Sequence, residues 1–352
     1  MNIGIVTDTL ESNYGGILQN YALQQVLLSM GHNPITIDYH PRNILQLLRY
    51  NLKSILYLPF PNKRRPFKLN SYIHDKFKSF AKNIIMTEYC TRLNHRVVDK
   101  YSFDAIIVGS DQVWRPKYVA NVDDMYLSFV SDEKIKKIAY AASFGTNQWE
   151  YTRCQTKRCK KLVANFDSVS VREFSGVELC RRYYNIKVEK VMDPTLLLTA
   201  DDYNKLVVAS CPNKEKYLLA YLLDKTADQI KVIELIALEY NLKIVSIGAH
   251  DEVSITVERW LELIKNASYV VTDSFHGTVF SIIYHHNFIS FANENRGIDR
   301  FESLLKMFGL QNRIWKGDKD VIFQEIDWRP IDEIIIKEKV KSVRFLATNM
   351  ED

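Results

Sequence analysis

Six residues, Asp273-Ser274-Phe275-His276-Gly277-Thr278, combine a carboxylate, two hydroxyls, an imidazole and a glycine between the apolar runs YVV and VFSIIY. Small polar groups between a buried strand and a helix fall where the first-turn amides and the positive helix end hold a phosphate or carboxylate. Gly277 would let the backbone approach such an anion. His276 beside it is a protonatable group suited to acid catalysis near neutral pH. The bland alternative makes Asp273 or Ser274 a helix cap and His276 a packed, hydrogen-bonded residue.

The run Gly109-Ser110-Asp111-Gln112-Val113-Trp114-Arg115 has the same placement after the apolar stretch AIIV. Ser110, Asp111 and Gln112 can orient hydroxyls, and the Trp114 indole can stack on a sugar face. Asp111 is the best acid or base candidate apart from histidine, with a helix cap as its plain alternative. Arg172 follows the alternating segment SVSV, where a planar five-donor head suits a bidentate clamp on carboxylate or phosphate. Arg296 and Arg300, four apart, offer a second anion clamp unless they pair with Asp299 or Glu302. Asn13, Tyr14, Gly15 and Gly16 form a loop placed to close over a ligand, with Gln19 at the start of the following helix.

The elements that must position these groups alternate strand and helix. Ile3 to Val6 reads as a buried strand, Ile17 to Met30 as a helix ended by Gly31, and Pro34 to Asp38 as a second strand. SNYGG replaces GxGxxG in the first turn, so a dinucleotide site is not expected. Further strands are expected at 104–110, 137–145, 166–172 and 188–194, and the cycle restarts with strands at 217–224, 243–248, 269–274 and 288–291. Residues 42–98 show no clear strand character and read as an insertion of helices and loops. The pattern predicts an α/β protein of two Rossmann-like domains, 1–200 and 201–352, facing a central cleft, with a C-terminal tail from about 325.

Composition narrows the function classes. The 352 residues are 47% apolar and 25% charged, an ordinary globular make-up. Five cysteines (Cys90, Cys154, Cys159, Cys180, Cys211) without a CxxC pair predict free thiols rather than a disulfide framework or zinc site, and His285-His286 are adjacent and splay on a helix, so no metal is expected. MNIGIVTDTL lacks the marks of a signal peptide, and no apolar run reaches the roughly 20 residues of a membrane span, so a cytoplasmic location is expected. Between Arg42 and Lys100, 13 Lys and Arg face three acidic residues. That run is either a solvated segment or a peripheral contact with an anionic membrane on its inner face; no reading motif accompanies it, so nucleic acid is not an expected partner.

Seven stretches in order resemble the polysaccharide pyruvyl transferase family: GIVTDTLESNYGGILQNYALQQVLLSMGH, DAIIVGSDQVWRP, IAYAASFG, SVSVREFSGVEL, VMDPTLLL, KNASYVVTDSFHGTVFSIIYHHNFISF and RGIDRFESLLKMFGL. They span the chain to about residue 315, more weakly in 42–98 and in the tail. The resemblance implies a GT-B-like, double-Rossmann glycosyltransferase architecture. It also implies transfer of pyruvate from phosphoenolpyruvate, a donor substrate with no further cofactor, onto two hydroxyls of a cell-surface sugar, often lipid-linked, as a cyclic ketal. The family's S-x-H-G histidine matches His276, and the arginine after its mid-chain strand matches Arg172. On that reading His276 protonates the donor, Arg172 and the 274–278 amides hold phosphate, and Asp111 takes the hydroxyl proton. A nucleotide-sugar glycosyltransferase of the same architecture, seeking a ribose carboxylate in Asp251, Glu252 or Glu294, and a non-catalytic glycan-binding protein are the alternatives.

Overall fold

The computed structural model of the chain describes residues 1–8, 10, 13–40, 77, 79–82, 84–207, 215–248, 255–291, 297–317 and 323–351. Its first sheet has seven parallel strands: β1 (Asn2–Val6), β2 (Asn33–Tyr39), β3 (Thr87–Cys90), β4 (Ala105–Val108), β5 (Lys136–Ala142), β6 (Ser168–Val171) and β7 (Glu189–Lys190). Their spatial order is β3-β2-β1-β4-β5-β6-β7, a Rossmann order extended by one strand. The second sheet has five, β8 (Tyr217–Leu222), β9 (Lys243–Gly248), β10 (Tyr269–Thr272), β11 (Asn287–Phe291) and β12 (Ile314–Trp315), in the order β12-β11-β10-β8-β9. Every pairing in both sheets is parallel.

The central strands are legible because helices cover both faces, so AIIV of β4 and YVVT of β10 are buried at every position. β3 lies at the sheet edge, with no fully buried residue among TEYC, and therefore lacks the apolar pattern of a strand. It corrects the expectation of an insertion of helices and loops over 42–98; residues 41–76 of that segment, including most of the basic run, lie outside the described residues. The segment 188–194 shortens to the two-residue β7, because Asp193-Pro194 starts a 3₁₀ turn.

Chain reversal puts the crossover of each sheet at a matching place. In the first sheet the strand order turns between β1 and β4, and in the second between β8 and β10. Loops leaving the C-terminal ends of these four strands face one another, as ligand-binding loops of open α/β sheets do. Behind them, helices Tyr14–Ser29 and Phe275–Ile283 bring the domains together: Tyr14 stacks on Trp260 at 5.4 Å, and Tyr203 sits 6.4 Å from Tyr21 and 4.8 Å from Phe280. One apolar cluster runs from Ile3 and Leu18 through Tyr203 to Phe280 and Leu346.

The segment from about 325, expected as a tail of the second domain, contains helix Arg329–Met350 and lies against both domains. At its start His285 stacks on Trp328 at 4.8 Å and meets Asp332 at 2.9 Å. Further along, Ser342 accepts from the Met192 amide at 2.9 Å and Phe345 packs 6.2 Å from Tyr140. No helix among the described residues is long and apolar enough to cross a membrane.

Candidate functional site

A cavity of about 300 Å³ opens between the facing strand ends. Asp8, Asn13, Tyr14, Asp111, Gln112 and Tyr118 line it from the first domain. The second domain contributes Tyr221, Leu223, Gly248 and the run Asp273 to His276, together with Arg300.

Ser274 caps helix Phe275–Ile283, its Oγ accepting from the Gly277 amide at 3.4 Å, so the capping alternative holds for this residue. The cap fixes His276 in the first turn, where it is buried to 3% exposure. Its Nε2 lies 3.7 Å from Asp193 Oδ2, an ion-pair distance, and its other edge meets Gly15. Asp193 Oδ1 accepts from the Thr195 amide and hydroxyl at 3.0 and 2.6 Å, which aims the second oxygen inward. Burial alone would raise the Asp193 pKa, but the facing His276 and Arg172 hold the carboxyl well below the usual range.

The same carboxylate takes the Arg172 Nη1 at 2.6 Å, and Arg172 Nη2 reaches Asp111 Oδ1 at 3.2 Å. Arg300 Nη1 donates to that same Asp111 oxygen at 3.3 Å. Thus the fork expected to clamp a ligand is filled by two carboxylates of the chain itself. Arg172 lies behind the cavity wall, where it organises the site rather than meeting a ligand first. Burial opposes the Asp111 charge, yet Arg172, His276 and Arg300 keep its pKa below the usual range and make it a weak base. For Arg300, burial and the like charge of Arg172 bring the pKa down to about 10 against the pull of Asp111. Both cations lie over the Phe275 ring, the Arg172 guanidinium at 4.5 Å and that of Arg300 at 5.2 Å.

Several expected ligand groups serve the scaffold instead. Gln19 is fully buried; its Nε2 donates to Thr7 and its Oε1 accepts from the Ser110 amide, pinning two strand ends together. Ser110 is equally buried and donates to the Ala141 carbonyl. Trp114 has no exposed surface, stacks on Tyr126 at 4.8 Å and donates its indole N–H to Met125, so it cannot meet a sugar. Thr278 faces Ser290 at 2.6 Å inside the second domain. Gly277 makes room for protein rather than ligand, since a Cβ there would lie 2.4 Å from Thr272 Oγ1. Gly16 packs beside Asn13, and Arg296 lies outside the described residues, as do Asp251, Glu252 and Glu294.

Asn13, Tyr14 and Asp273 line the cavity. Asn13 caps helix Tyr14–Ser29 through the Gly15 amide at 3.0 Å and reaches Asp111 with its Nδ2 at 3.4 Å. Tyr14 bridges the domains by donating to the Ile255 carbonyl at 2.8 Å. Asp273 accepts from the Leu223 and Asp224 amides at 2.7 and 2.8 Å and so fixes the loop after β8. Sequence reasoning missed Asp193, although the Asp-Pro pair after an apolar run marks a turn; it also missed Glu173, Asp8 and Tyr118. Glu173 is fully buried, and its Oε1 accepts from Ser143 Oγ and the amides of Phe144 and Gly145 at 2.7 to 2.9 Å. Burial pushes its pKa up despite Arg172.

Among the described residues no group of three or more His, Cys, Asp or Glu is placed to hold a metal ion. Cys90, Cys154, Cys159 and Cys180 are free thiols.

The architecture resembles solved structures of nucleotide-sugar enzymes. The S. aureus MnaA–UDP co-structure matches over 98% of this chain and 89% of its own, with a TM-score of 0.52 and 10% identity. UDP-GlcNAc 2-epimerase from Neisseria meningitidis bound to UDP-GlcNAc matches over 99% and 93%, with a TM-score of 0.51 and 9% identity. At such identity the likeness concerns the fold alone, the GT-B arrangement of two Rossmann-like domains about a cleft. No curated protein matches the chain in sequence. The family model for polysaccharide pyruvyl transferase matches residues 13–295, which carry the loop of Asn13, the Asp111 turn, Arg172, Asp193 and His276. The chain belongs to the polysaccharide pyruvyl transferase family.

Proposed function

We propose that this protein transfers the pyruvyl group of phosphoenolpyruvate onto two hydroxyls of one sugar in a cell-surface glycan or its lipid-linked precursor, forming a cyclic ketal and releasing phosphate. The observation that carries the reading is the buried His276 at a helix N-terminus, facing Asp193 and bordering a cavity shared with Arg300. Phosphoenolpyruvate is an enol phosphate whose C3 must gain a proton before C2 accepts an oxygen. His276 as imidazolium donates that proton, and C3 becomes the methyl group. A first sugar hydroxyl adds to C2 and passes its proton to the His276 imidazole, which the first step left neutral. The C2–O bond to phosphate then breaks with its electron pair leaving on phosphate, and the second hydroxyl closes the ketal as its proton passes to the departing phosphate.

Arg300 and the first-turn amides of helix Phe275–Ile283 meet the donor's negative charge. Arg172 acts one layer behind, tying Asp193 to Asp111 on the cavity wall, where Asp111 also orients Arg300. The steps require neither a metal nor an organic cofactor. A site of work at the cytoplasmic membrane face fits a lipid-linked acceptor, with the basic run from Arg42 to Lys100 as the peripheral contact.

The test is incubation of the purified protein with phosphoenolpyruvate and a panel of nucleotide sugars and lipid-linked oligosaccharides. Acceptor-dependent phosphate release with a ketal-linked pyruvate in the product is the expected result. Sugar transfer from a nucleotide sugar without any pyruvylated product would replace this reading with a glycosyltransferase one.

A further inference from the structure

We infer that Glu173 is a positioning residue, which sets Arg300 opposite Asp111 across the cleft by gripping the first-domain segment 143–147 that clasps the second domain. The inference rests on the proposed function in taking Arg300 to meet the donor's negative charge. The proposed steps do not use Glu173.

Glu173 stands beside Arg172 after β6 and is fully buried. Its Oε1 accepts from three donors of the loop after β5: the Ser143 hydroxyl at 2.9 Å and the amides of Phe144 and Gly145 at 2.7 and 2.9 Å. The Ser143 Oγ also accepts from the Gly145 amide, at 3.1 Å. Buried donors that lose their acceptor carry their full desolvation cost, so no apolar side chain could take this place. Burial pushes the Glu173 pKa up even beside Arg172, which makes a carboxyl a costly way to fill space. What it contributes is its bonds to the loop.

From that loop two arms reach the Asp111–Arg300 pair. Within the first domain, the Ser143 amide donates to the Asp111 carbonyl at 3.0 Å, and the Ser143 carbonyl accepts from the Trp114 amide at 3.2 Å. These bonds hold Asp111 at φ 67°, a left-handed conformation uncommon away from glycine. Across the cleft, the loop meets the start of helix Ile298–Met307, which carries Arg300 in its first turn. The Asn147 amide donates to Asp299 Oδ2 at 2.7 Å. The Gly145 carbonyl lies so close to Gly297, at φ 95° before the helix, that a Cβ on Gly297 would strike it. Phe174, next to Glu173, adds a third link by donating its amide to Ser303 Oγ on the same helix at 3.0 Å.

Arg300 Nη1 to Asp111 Oδ1, at 3.3 Å, therefore joins two backbones that one carboxylate holds in place. A shift of about 1 Å in a group that meets the substrate can cost about 100-fold in rate.

The test compares Glu173→Ala, Glu173→Gln and Val163→Ala with wild type, all as full chains. Val163 is buried in the first-domain core and does not line the cavity, so its truncation lowers stability without touching the clasp. Hydrogen exchange read by mass spectrometry, with no ligand added, should show Glu173→Ala exchanging faster over 143–147 and over 297–303. Glu173→Gln should exchange much as wild type does, because its amide oxygen accepts the same donors, and Val163→Ala should leave both segments as in wild type. Phosphoenolpyruvate affinity by calorimetry should fall about tenfold in Glu173→Ala, stay within about threefold of wild type in Glu173→Gln, and be unchanged in Val163→Ala. If Glu173→Ala does not fold, Glu173→Asp, which shortens the reach by one methylene, should show both losses in smaller degree. Wild-type exchange over 297–303 in the folded alanine or aspartate variant overturns the inference. So does wild-type donor affinity in that variant, or a Val163→Ala that mimics its losses. A wild type that binds no phosphoenolpyruvate speaks against the donor, and exchange over 297–303 then decides the role of Glu173 by itself.

Discussion

Gly15 and His276 come from different domains and touch so closely that a Cβ on Gly15 would lie 1.9 Å from the His276 Nδ1. Glycine in the first helical turn costs helix stability, and the Asn13 cap offsets part of that cost. Its presence there is therefore explained by the imidazole rather than by the helix. Gly15→Ala forces His276 or the domain contact to move, an overpacking worth about 1–3 kcal/mol. We expect a modest fall in melting temperature and a much larger fall in kcat/KM. An alanine variant with full turnover would show that the imidazole has no fixed place in the reaction.

His276→Asn keeps much of the side-chain size and removes the acid. Turnover should fall about 100- to 10,000-fold while the folded variant still binds phosphoenolpyruvate. Asp193→Asn, which acts through His276 and Arg172, should lower kcat with a smaller effect on donor KM. Steady-state kinetics with a melting control checks both. Retention of more than about a tenth of wild-type activity by His276→Asn would place the acid elsewhere.

Arg172 joins Asp111 and Asp193, all three buried. Arg172→Met leaves Asp111 with Arg300 alone and Asp193 with His276 alone, breaking a buried ion-pair network at a cost of about 3–5 kcal/mol. Arg172→Lys should lose less, because an ammonium keeps the charge but cannot span both acids as the planar fork does. Melting curves of the two variants should rank wild type above lysine above methionine. Equal stability of all three would remove Arg172 from the structural framework.

The carboxylates predict opposite pH trends. Asp111 and Asp193 have depressed pKa values, so their stabilising contribution is present above about pH 4 and is lost as pH falls through the depressed values. Asp193→Asn should therefore lose less melting temperature than wild type between about pH 5 and pH 3. Glu173 has a raised pKa, so the folded state binds its proton more tightly and stability falls as pH rises from about 4.3 through the raised value. Relative to wild type, Glu173→Gln should fare better at neutral pH than near pH 4. Parallel pH profiles for wild type and both variants would contradict these assignments.

The 13 basic residues between Arg42 and Lys100 predict salt-sensitive binding to anionic vesicles, worth about 1 kcal/mol for each basic residue near the surface. Vesicle sedimentation with anionic and neutral lipids measures it. Equal binding to both, or indifference to salt, would leave the run a solvated segment.

The sequence by itself determined the layered architecture, because parallel strands buried on both faces read as apolar runs and their polar C-terminal turns follow at once. It also located the Asp111 and His276 turns, and seven ordered segments carried the family resemblance. Edge strand β3 and the two-residue β12 escaped, since short strands with little burial have no local pattern. The roles of individual side chains were decided by tertiary structure. Arg172 meets Asp193 across 21 residues and Asp111 across 61, and Arg300 reaches Asp111 across 189. Residue type announces that such a cation needs a partner, while only the packed sheets say whether the partner is a ligand or the chain's own carboxylate. The same holds for Trp114 and Tyr118, four residues apart: hydropathy cannot distinguish them, and the turn at Pro116 together with the Glu150–Arg115 pair puts one in the core and the other at the cavity.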